Sequence, residues 1–280
     1  MARAWQRLAL EAGRGLAYAL VPRLAAARAF ARRRRAGLLD PEIELVPALL
    51  DPDRAGVDVG ANAGFWTLAM AARARSVLAI EPIPEIAAEL ARRMPANVRV
   101  QVCALSDRSG SALLRIPEDA GRATIEASNP LRDAPAARSL VVPVARLDEL
   151  PLEAPVGLVK IDVEGHELAV CRGAARVLAT DRPALVVEAE ERHRPGAVGE
   201  LRAFLEPLGY RGFFLGRNGL EPIERFAPDR HQPVDRSGRP APGGGGYVAN
   251  FLFVPPERVA RLEAAAAALA RRRTGVAVEG

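Results

Sequence analysis

Short apolar runs alternate with amphipathic segments of helical period along most of the chain. This alternation predicts an α/β fold in which a mostly parallel sheet is covered by helices on both faces. The predicted strands span residues 55–60, 76–82, 97–105, 156–165 and 183–190, and the predicted helices between them span 63–74, 84–94, 166–180 and 196–209.

The alternation is interrupted at two places. Residues 106–116 and 139–150 have the pattern of antiparallel strands, and the polar loop between them, 117–138, is long enough to be functional or mobile. Two late strands, 210–215 and 247–255, bracket a stretch rich in Pro and Gly. We divide the chain into a basic helical arm at 1–40, a central domain at 41–256, and a C-terminal helix and tail at 257–280.

The net charge of +5 is unevenly distributed along the chain. Residues 1–37 hold nine Arg and one Glu, a charge of +8, which leaves 5 − 8 = −3 for the remainder. Enzymes that act on nucleic acids usually carry a broad positive face, so we predict no nucleic-acid partner. We interpret the arm as an amphipathic helix packed on the core with a solvated Arg-rich end, and peripheral docking on a membrane or a partner is the alternative.

The apolar runs and the cysteines indicate the cellular compartment of the protein. No uncharged apolar run reaches the ~18 residues that a membrane-spanning helix needs, and no convincing cleavage site follows the first apolar stretch. Cys103 and Cys171 are too few for a disulfide framework and lack metal-ligand spacing. We therefore expect a cytoplasmic protein.

The segment GVDVGANAG, residues 56–64, forms the predicted turn from the first strand into its helix. Ligands of such sheets bind beyond the carboxyl ends of the strands, and Gly60 and Gly64 would let a ligand approach the main chain. The spacing differs from the G-x-G-x-x-G of dinucleotide sites, and Asp58 would repel a pyrophosphate but attract a cation. The structural alternative is a tight turn in which Asp58 caps the helix.

A second carboxylate, Glu81, ends the second predicted strand and is followed by Pro82. An acidic side chain at this place can accept hydrogen bonds from both hydroxyls of a ribose. S-adenosylmethionine carries a ribose diol, an ammonium and a sulfonium but no phosphate. The pair Asp58 and Glu81 therefore predicts this cofactor.

The motifs VDVGANAGFWTLAMA, AIEPIPE, NVRVQVCALSD, VARLDEL, KIDVEGHELAV and PALVVEAEE resemble the FkbM family of S-adenosylmethionine-dependent methyltransferases over residues 56–191. The resemblance implies a Rossmann-like class I methyltransferase fold with a mostly parallel, usually seven-stranded sheet. It also implies O-methylation of a sugar, a polyketide or another natural-product hydroxyl. In this fold Asp107 often lies near the adenine. The predicted cofactor-binding residues are Asp58, Gly60, Asn62, Gly64, Glu81, Asp107 and Asp162.

Methyl transfer to a hydroxyl depends on alignment of the reactants and gains from a base that takes the proton. Asp162, His166 and Glu188 are the candidate catalytic residues, because each lies at or just after the end of a predicted strand. We expect Lys160 to point away from the cleft, although strand alternation gives it the same face as Asp162. A contact between Lys160 and Asp162, with a cofactor role or a structural role, stays open. The acidic residues here also suit a divalent cation, but their spacing is not diagnostic, so we predict no metal.

We therefore predict an S-adenosylmethionine-dependent methyltransferase that acts on a hydroxyl of a small-molecule or glycan acceptor. Two other functions stay open. A protein that binds the cofactor without turnover would keep the same motifs. A nicotinamide-dependent oxidoreductase shares the sheet pattern, but it usually has a third glycine in the turn and a Tyr-x-x-x-Lys pair.

Overall fold

A computed structural model describes residues 21–117, 123–126, 138–217, 219–235, 239–241 and 246–274. Within these residues, eleven strands form two sheets. The strands are β1 (Ala55–Val59), β2 (Ser76–Ile80), β3 (Val98–Gln101), β4 (Ala104–Leu105), β5 (Gly110–Ile116), β6 (Arg138–Ala145), β7 (Val156–Ile161), β8 (Ala184–Glu188), β9 (Arg211–Gly216), β10 (Gly219–Pro222) and β11 (Asn250–Val254).

The main sheet has the strand order β10-β9-β11-β8-β7-β1-β2-β3. Strands β3, β2, β1, β7 and β8 run parallel to one another, and β11 runs antiparallel between β8 and β9. The predicted mostly parallel sheet is thus confirmed, with eight strands instead of seven. The additional strand β10 is a short edge strand paired with β9, and its Pro222 is tolerated because an edge strand does not need every N–H.

The second sheet corrects the prediction of one continuous strand at 97–105. The backbone leaves the main sheet after Gln101, and β4 pairs instead with β6 in a three-stranded sheet of order β4-β6-β5. The predicted antiparallel pair β5 and β6 is confirmed. Ile83, at the start of the helix after β2, packs with Leu114 and Val142 of this sheet, so the small sheet lies beside the carboxyl end of β2.

The helices cover both faces of the main sheet. One apolar cluster joins Val159 and Leu185 to Cys171 and Leu201, and another joins residues of the opposite face to the N- and C-terminal helices. The helices are α1 (residues 21–35), α2 (Val46–Leu49, after a 3-10 turn at Pro41–Leu45), α3 (Phe65–Ala71), α4 (Pro84–Arg93), α5 (Glu167–Arg172), α6 (Ala175–Thr180), α7 (Ala197–Leu205), α8 (Pro228–His231) and α9 (Pro256–Thr274).

The helix predicted at 166–180 is two helices, α5 and α6, separated at Gly173. A Cβ at Gly173 would lie 1.9 Å from the carbonyl oxygen of Ser106, so the chain passes here against another backbone segment. Leu262 and Ala266 of α9 are buried in the core cluster that includes Leu49 of α2. None of the helices in the described part of the chain has the length and apolar character needed to cross a membrane.

Two glycines shape the turn between β1 and α3. Gly60 and Gly64 have positive φ angles of 80° and 78°. A Cβ at Gly60 would lie 1.9 Å from the carbonyl oxygen of Asp162, and a Cβ at Gly64 would lie 2.4 Å from Cδ1 of Leu90. We expected these glycines to let a ligand approach the backbone, but the space left by each missing side chain is filled by protein.

Replacing Gly60 by alanine should therefore destabilise the fold. The new Cβ would meet backbone at a left-handed position, and we expect Gly60→Ala to lower the free energy of unfolding by about 2 to 4 kcal/mol in urea titrations. Gly199→Ala is the matched control, because Gly199 lies within α7 and nothing lies within 4 Å of its Cβ position. The control should raise stability by up to about 1 kcal/mol. Equal stability of the two variants would contradict the close contact at Gly60.

Candidate functional site

Two clefts open at the carboxyl ends of β1, β2 and β7, and both are lined by Gly60, Asn62 and Asp162. The first cleft lies between the main sheet and the small sheet and encloses about 620 Å³, with the open space at its entrance included. The second cleft lies on the side of α3 and residues 38–43 and encloses about 680 Å³ on the same basis. The parallel strands thus bring the predicted turn to the junction of two clefts, as expected for this sheet type.

Glu81 is buried at the wall of the first cleft and holds the glycine turn. Its Oε2 accepts a hydrogen bond of 3.0 Å from the N–H of Asn62, and its Oε1 accepts one of 2.9 Å from the N–H of Ile83. Asn62 has a left-handed backbone, with φ 44°, and the hydrogen bond that its N–H donates to Glu81 stabilises that conformation. Since a carboxylate oxygen can accept two hydrogen bonds, both oxygens of Glu81 keep capacity for a ligand hydroxyl.

Burial raises the pKa of Glu81, although the two backbone hydrogen bonds oppose the rise. The remaining walls of the first cleft are largely apolar. Ile80 and Leu105 come from the ends of β2 and β4, and Leu114 and Ile125 come from the side of the small sheet. The first cleft therefore combines the carboxylates of Glu81, Asp162 and Glu164 with an apolar surface suited to a flat ring.

Asp58 points into the second cleft and is almost fully buried. Its Oδ2 accepts a hydrogen bond of 2.5 Å from the hydroxyl of Thr67 in the first turn of α3. Burial raises the pKa of Asp58 to about 6, against the lowering effect of Thr67 and Lys160. The N-cap residue of α3 is Gly64, which makes no side-chain bond, and Asp58 instead contacts the first turn of the helix through Thr67.

The structure corrects our expectation for the side chain of Lys160. We expected its side chain to point away from the cleft, but Lys160 lines the second cleft and is 1% exposed. Its Nζ donates a hydrogen bond of 2.8 Å to Oδ1 of Asn250 and lies 5.5 Å from the ring centre of Trp66. Strand alternation, which gives Lys160 the same face as Asp162, was the signal that could have placed it.

The buried ammonium of Lys160 is held by surrounding carboxylates. Burial lowers its pKa, but Asp162, Glu188, Asp40 and Asp58 together outweigh burial, and the net shift is upward. A protonated lysine at this position balances part of the negative charge of the second cleft. The second cleft therefore presents both an ammonium and carboxylates to any molecule that enters it.

Asp162 lies at the junction, where it lines both clefts. Its backbone N–H donates a hydrogen bond of 3.0 Å to the carbonyl of Val59, which ties the end of β7 to the end of β1. Burial raises the pKa of Asp162 well above its ordinary value, and the negative charges of Glu188, Glu164 and Glu167 add to the rise while Lys160 opposes it. A carboxylate of raised pKa is a stronger base than an ordinary aspartate.

His166 lines the first cleft and is held at both ring nitrogens. Its Nε2 lies 2.9 Å from Oγ of Ser106, and its Nδ1 lies 2.9 Å from Oε2 of Glu126. Sequence reasoning missed Ser106 and Glu126, since they are separated from His166 by 60 and 40 residues. Glu126 belongs to the long loop at 117–138, of which residues 118–122 and 127–137 lie outside the described part of the chain.

Two predicted site residues lie apart from the clefts. The carboxylate of Glu188 lies 3.5 Å from Nζ of Lys160 but lines neither cleft, so it can act on the site through that lysine. Asp107 is exposed, lies 3.7 Å from Arg108 and lines neither cleft; its neighbour Ser106 makes the contact with His166 instead. Among the described residues, no group of three or more His, Cys, Asp or Glu is arranged to hold a metal ion.

Comparison with known proteins identifies the domain that holds these residues. The model of the Methyltransferase FkbM domain matches residues 58–211, from Asp58 to the start of β9. No curated protein matches the chain. The matched region is more than half of the 280 residues and includes the glycine turn, Glu81 and Asp162.

Several solved structures resemble this chain at low sequence identity. Methyltransferase FkbM from Methylobacillus flagellatus KT is 16% identical, with a TM-score of 0.46 over 78% of this chain and 46% of that chain. Precorrin-6y C5,15-methyltransferase from Geobacter metallireducens GS-15 is 14% identical, with a TM-score of 0.37 over 62% and 72% of the two chains. An rRNA methylase from Streptococcus thermophilus is 12% identical, with a TM-score of 0.39 over 76% and 92%.

The present chain thus spans less than half the length of the FkbM methyltransferase from Methylobacillus flagellatus KT. The resemblance seen in the sequence motifs is confirmed by the domain match, which begins at Asp58 and extends beyond the KIDVEGHE segment around Asp162. This protein belongs to the FkbM methyltransferase family.

Proposed function

We propose that the protein transfers a methyl group from S-adenosylmethionine to a hydroxyl of a small-molecule or glycan acceptor. The observation that carries this proposal is the placement of Glu81, Asp58 and Asp162 around the junction of two clefts. Such a group of carboxylates favours a cationic ligand and disfavours the pyrophosphate of a nicotinamide dinucleotide.

The residues of the two clefts suit the two halves of S-adenosylmethionine. In the first cleft, Glu81 would accept hydrogen bonds from the ribose hydroxyls, while Leu105 and Ile125 would contact the adenine. In the second cleft, Asp58 would attract the ammonium of the amino-acid end and Lys160 its carboxylate. When bound, the cofactor supplies an electrophilic methyl group on a sulfonium cation.

Asp162 is the residue that we assign as the proton acceptor. A neutral hydroxyl is a weak nucleophile, and its oxygen must lose a proton as it gains the methyl group, so a base beside it is worth about 10² to 10⁴ in rate. Asp162 lines both clefts and carries a raised pKa. His166 is less suited to this role, because Ser106 and Glu126 engage both of its ring nitrogens. We propose that His166 forms part of the wall of the first cleft and is held there by Ser106 and Glu126.

A small or glycosidic acceptor is supported by the charge of the domain. The chain beyond residue 37 carries a net charge of −3, and carboxylates surround the junction of the clefts. Both features disfavour a polyanionic substrate such as RNA. RNA nevertheless belongs among the acceptors to be assayed, since turnover on RNA would overturn this part of the proposal.

Removing the carboxylate of Glu81 should weaken cofactor binding. We expect Glu81→Ala to reduce the affinity for S-adenosylhomocysteine by about 1.5 to 3 kcal/mol, the cost of losing hydrogen bonds to a charged group. Isothermal titration calorimetry measures this change. Glu85→Ala is the matched control, because Glu85 lies four residues further on, is exposed and pairs with Arg138 at 3.0 Å.

Cofactor binding by calorimetry, together with turnover assays, also separates the competing functions. Unchanged affinity in Glu81→Ala would remove the ribose assignment. Binding of NAD in place of S-adenosylhomocysteine by the wild-type protein would favour an oxidoreductase. Cofactor binding without turnover on any hydroxylated acceptor or RNA would favour a non-catalytic binding protein.

Replacing Asp162 by asparagine should lower turnover while cofactor affinity stays near that of the wild type. We expect a loss of roughly 10² to 10⁴ in the rate of S-adenosylhomocysteine formation with an accepted hydroxyl substrate. Loss of cofactor binding in Asp162→Asn would instead place Asp162 on the donor side. His166→Gln serves as the comparison, since it removes a neighbouring polar group of the first cleft and leaves Asp162 in place.

The pH dependence of turnover tests the same assignment. Asp162 accepts a proton only when ionised, and its pKa is raised, so the wild-type rate should be low at acidic pH and rise as the pH passes that raised pKa. His166→Gln should keep this rising limb, whereas Asp162→Asn should lose it. A rate profile that is the same in wild type and Asp162→Asn would exclude Asp162 as the base.

A further inference from the structure

The outward face of α1 combines arginines with exposed apolar side chains. Val21, Leu24, Arg28, Arg32 and Arg35 are spaced three or four residues apart, so they lie on one side of the helix. Val21 is 63% exposed and Leu24 is 53% exposed, and the three arginines are exposed as well. We call these five residues the arm stripe. Arginines together with exposed aliphatic side chains are found on helices that lie at a membrane surface.

The opposite side of α1 fixes the helix to the domain. Phe30 packs against the core cluster on that face of the main sheet. Arg33 lies over the ring of Phe65 at 5.1 Å, and Arg34 makes a two-pronged ion pair with Glu44, with Nε 2.5 Å from Oε1. These contacts hold the helix in one orientation and keep the arm stripe directed away from the protein.

The charge of the arm stripe is not neutralised by neighbouring side chains. The side chains of Arg28, Arg32 and Arg35 make no ion pair or hydrogen bond with any residue that the structure describes. Residues 1–37 carry +8 while the rest of the chain carries −3, so positive charge is concentrated in the N-terminal segment of the sequence. Such a distribution orients a protein against an extended negative surface.

We infer that the arm stripe docks the protein on an anionic lipid membrane. Arginine guanidinium groups bind lipid phosphates in a two-pronged manner, and Val21 and Leu24 would insert among the upper acyl chains. RNA would satisfy the arginines equally well, but it gives no reason for exposed aliphatic residues and would favour aromatic side chains for base stacking. The lipid surface accounts for both components of the stripe.

The position of the second cleft agrees with membrane docking. The chain turns after α1 at Gly37, and Leu38, 66% exposed, lines the mouth of the second cleft. A protein docked through the arm stripe would therefore hold this mouth close to the membrane surface. The inference concerns the surface of the arm and does not depend on the proposed methyl transfer.

Co-sedimentation with vesicles tests the inference on the full chain. We expect binding to vesicles of equimolar phosphatidylglycerol and phosphatidylcholine, no binding to phosphatidylcholine alone, and weaker binding as salt is raised. The variant Arg28→Glu/Arg32→Glu/Arg35→Glu should bind the anionic vesicles at least roughly tenfold more weakly. Leu24→Ser should also weaken binding, and this effect should persist at high salt because it removes an apolar contact.

A charge-matched control distinguishes the arm stripe from net charge. Arg75, Arg172 and Arg225 are exposed arginines on other parts of the surface, and reversing all three changes the net charge by the same amount. This control should bind like the wild type, and circular dichroism melting should show that all variants fold. Failure of the wild type to bind anionic vesicles, equal loss in the control, or tight RNA binding through the same arginines without vesicle binding would overturn the inference.

Discussion

The contact between Gly60 and the backbone of Asp162 is the constraint on which the site depends. A Cβ at residue 60 would overlap the carbonyl oxygen of Asp162, so the ends of β1 and β7 can approach only because residue 60 is glycine. The N–H of Asp162 reaches the carbonyl of Val59 across the same gap. This approach brings Asp162 beside the turn that Glu81 holds, and both clefts meet at that place.

The second organising feature is the burial of charge beside that contact. Lys160 lies inside the protein with Asn250, Glu188, Asp58 and Asp162 around it. Each of these groups would be costly to bury alone, and their mutual attraction offsets that cost while leaving the carboxylates with altered proton affinity. The pKa of Asp58 is raised by its burial, and that of Lys160 is raised by the carboxylates. The arrangement supplies the charged surface that our functional proposal uses.

Sequence patterns predicted the parts of the fold that local physics controls. Each buried parallel strand of the main sheet is an apolar run, and the antiparallel pair β5 and β6 follows from its alternation. The pattern of apolar residues gave wrong boundaries where the length of a strand or helix depends on contacts with distant backbone. The run at 97–105 changes sheets after Gln101, and the helix at 166–180 breaks at Gly173, where the chain passes the carbonyl of Ser106. The spacing of apolar residues does not indicate these contacts with distant backbone segments.

The residues of the candidate site likewise fall into those that the sequence predicted and those that only the structure identified. The sequence by itself determined the family motif, the glycine turn and the strand-end carboxylates Asp58, Glu81 and Asp162, because residues at the ends of parallel strands share one edge of the sheet. Only the tertiary structure decided that Lys160 enters the second cleft, that Ser106 and Glu126 hold His166, and that Asp107 lies outside both clefts. Strand alternation indicated that Lys160 and Asp162 share a face but not that this face opens into a cleft. The other outcomes depend on contacts between residues far apart in the chain, which neither spacing nor periodicity specifies.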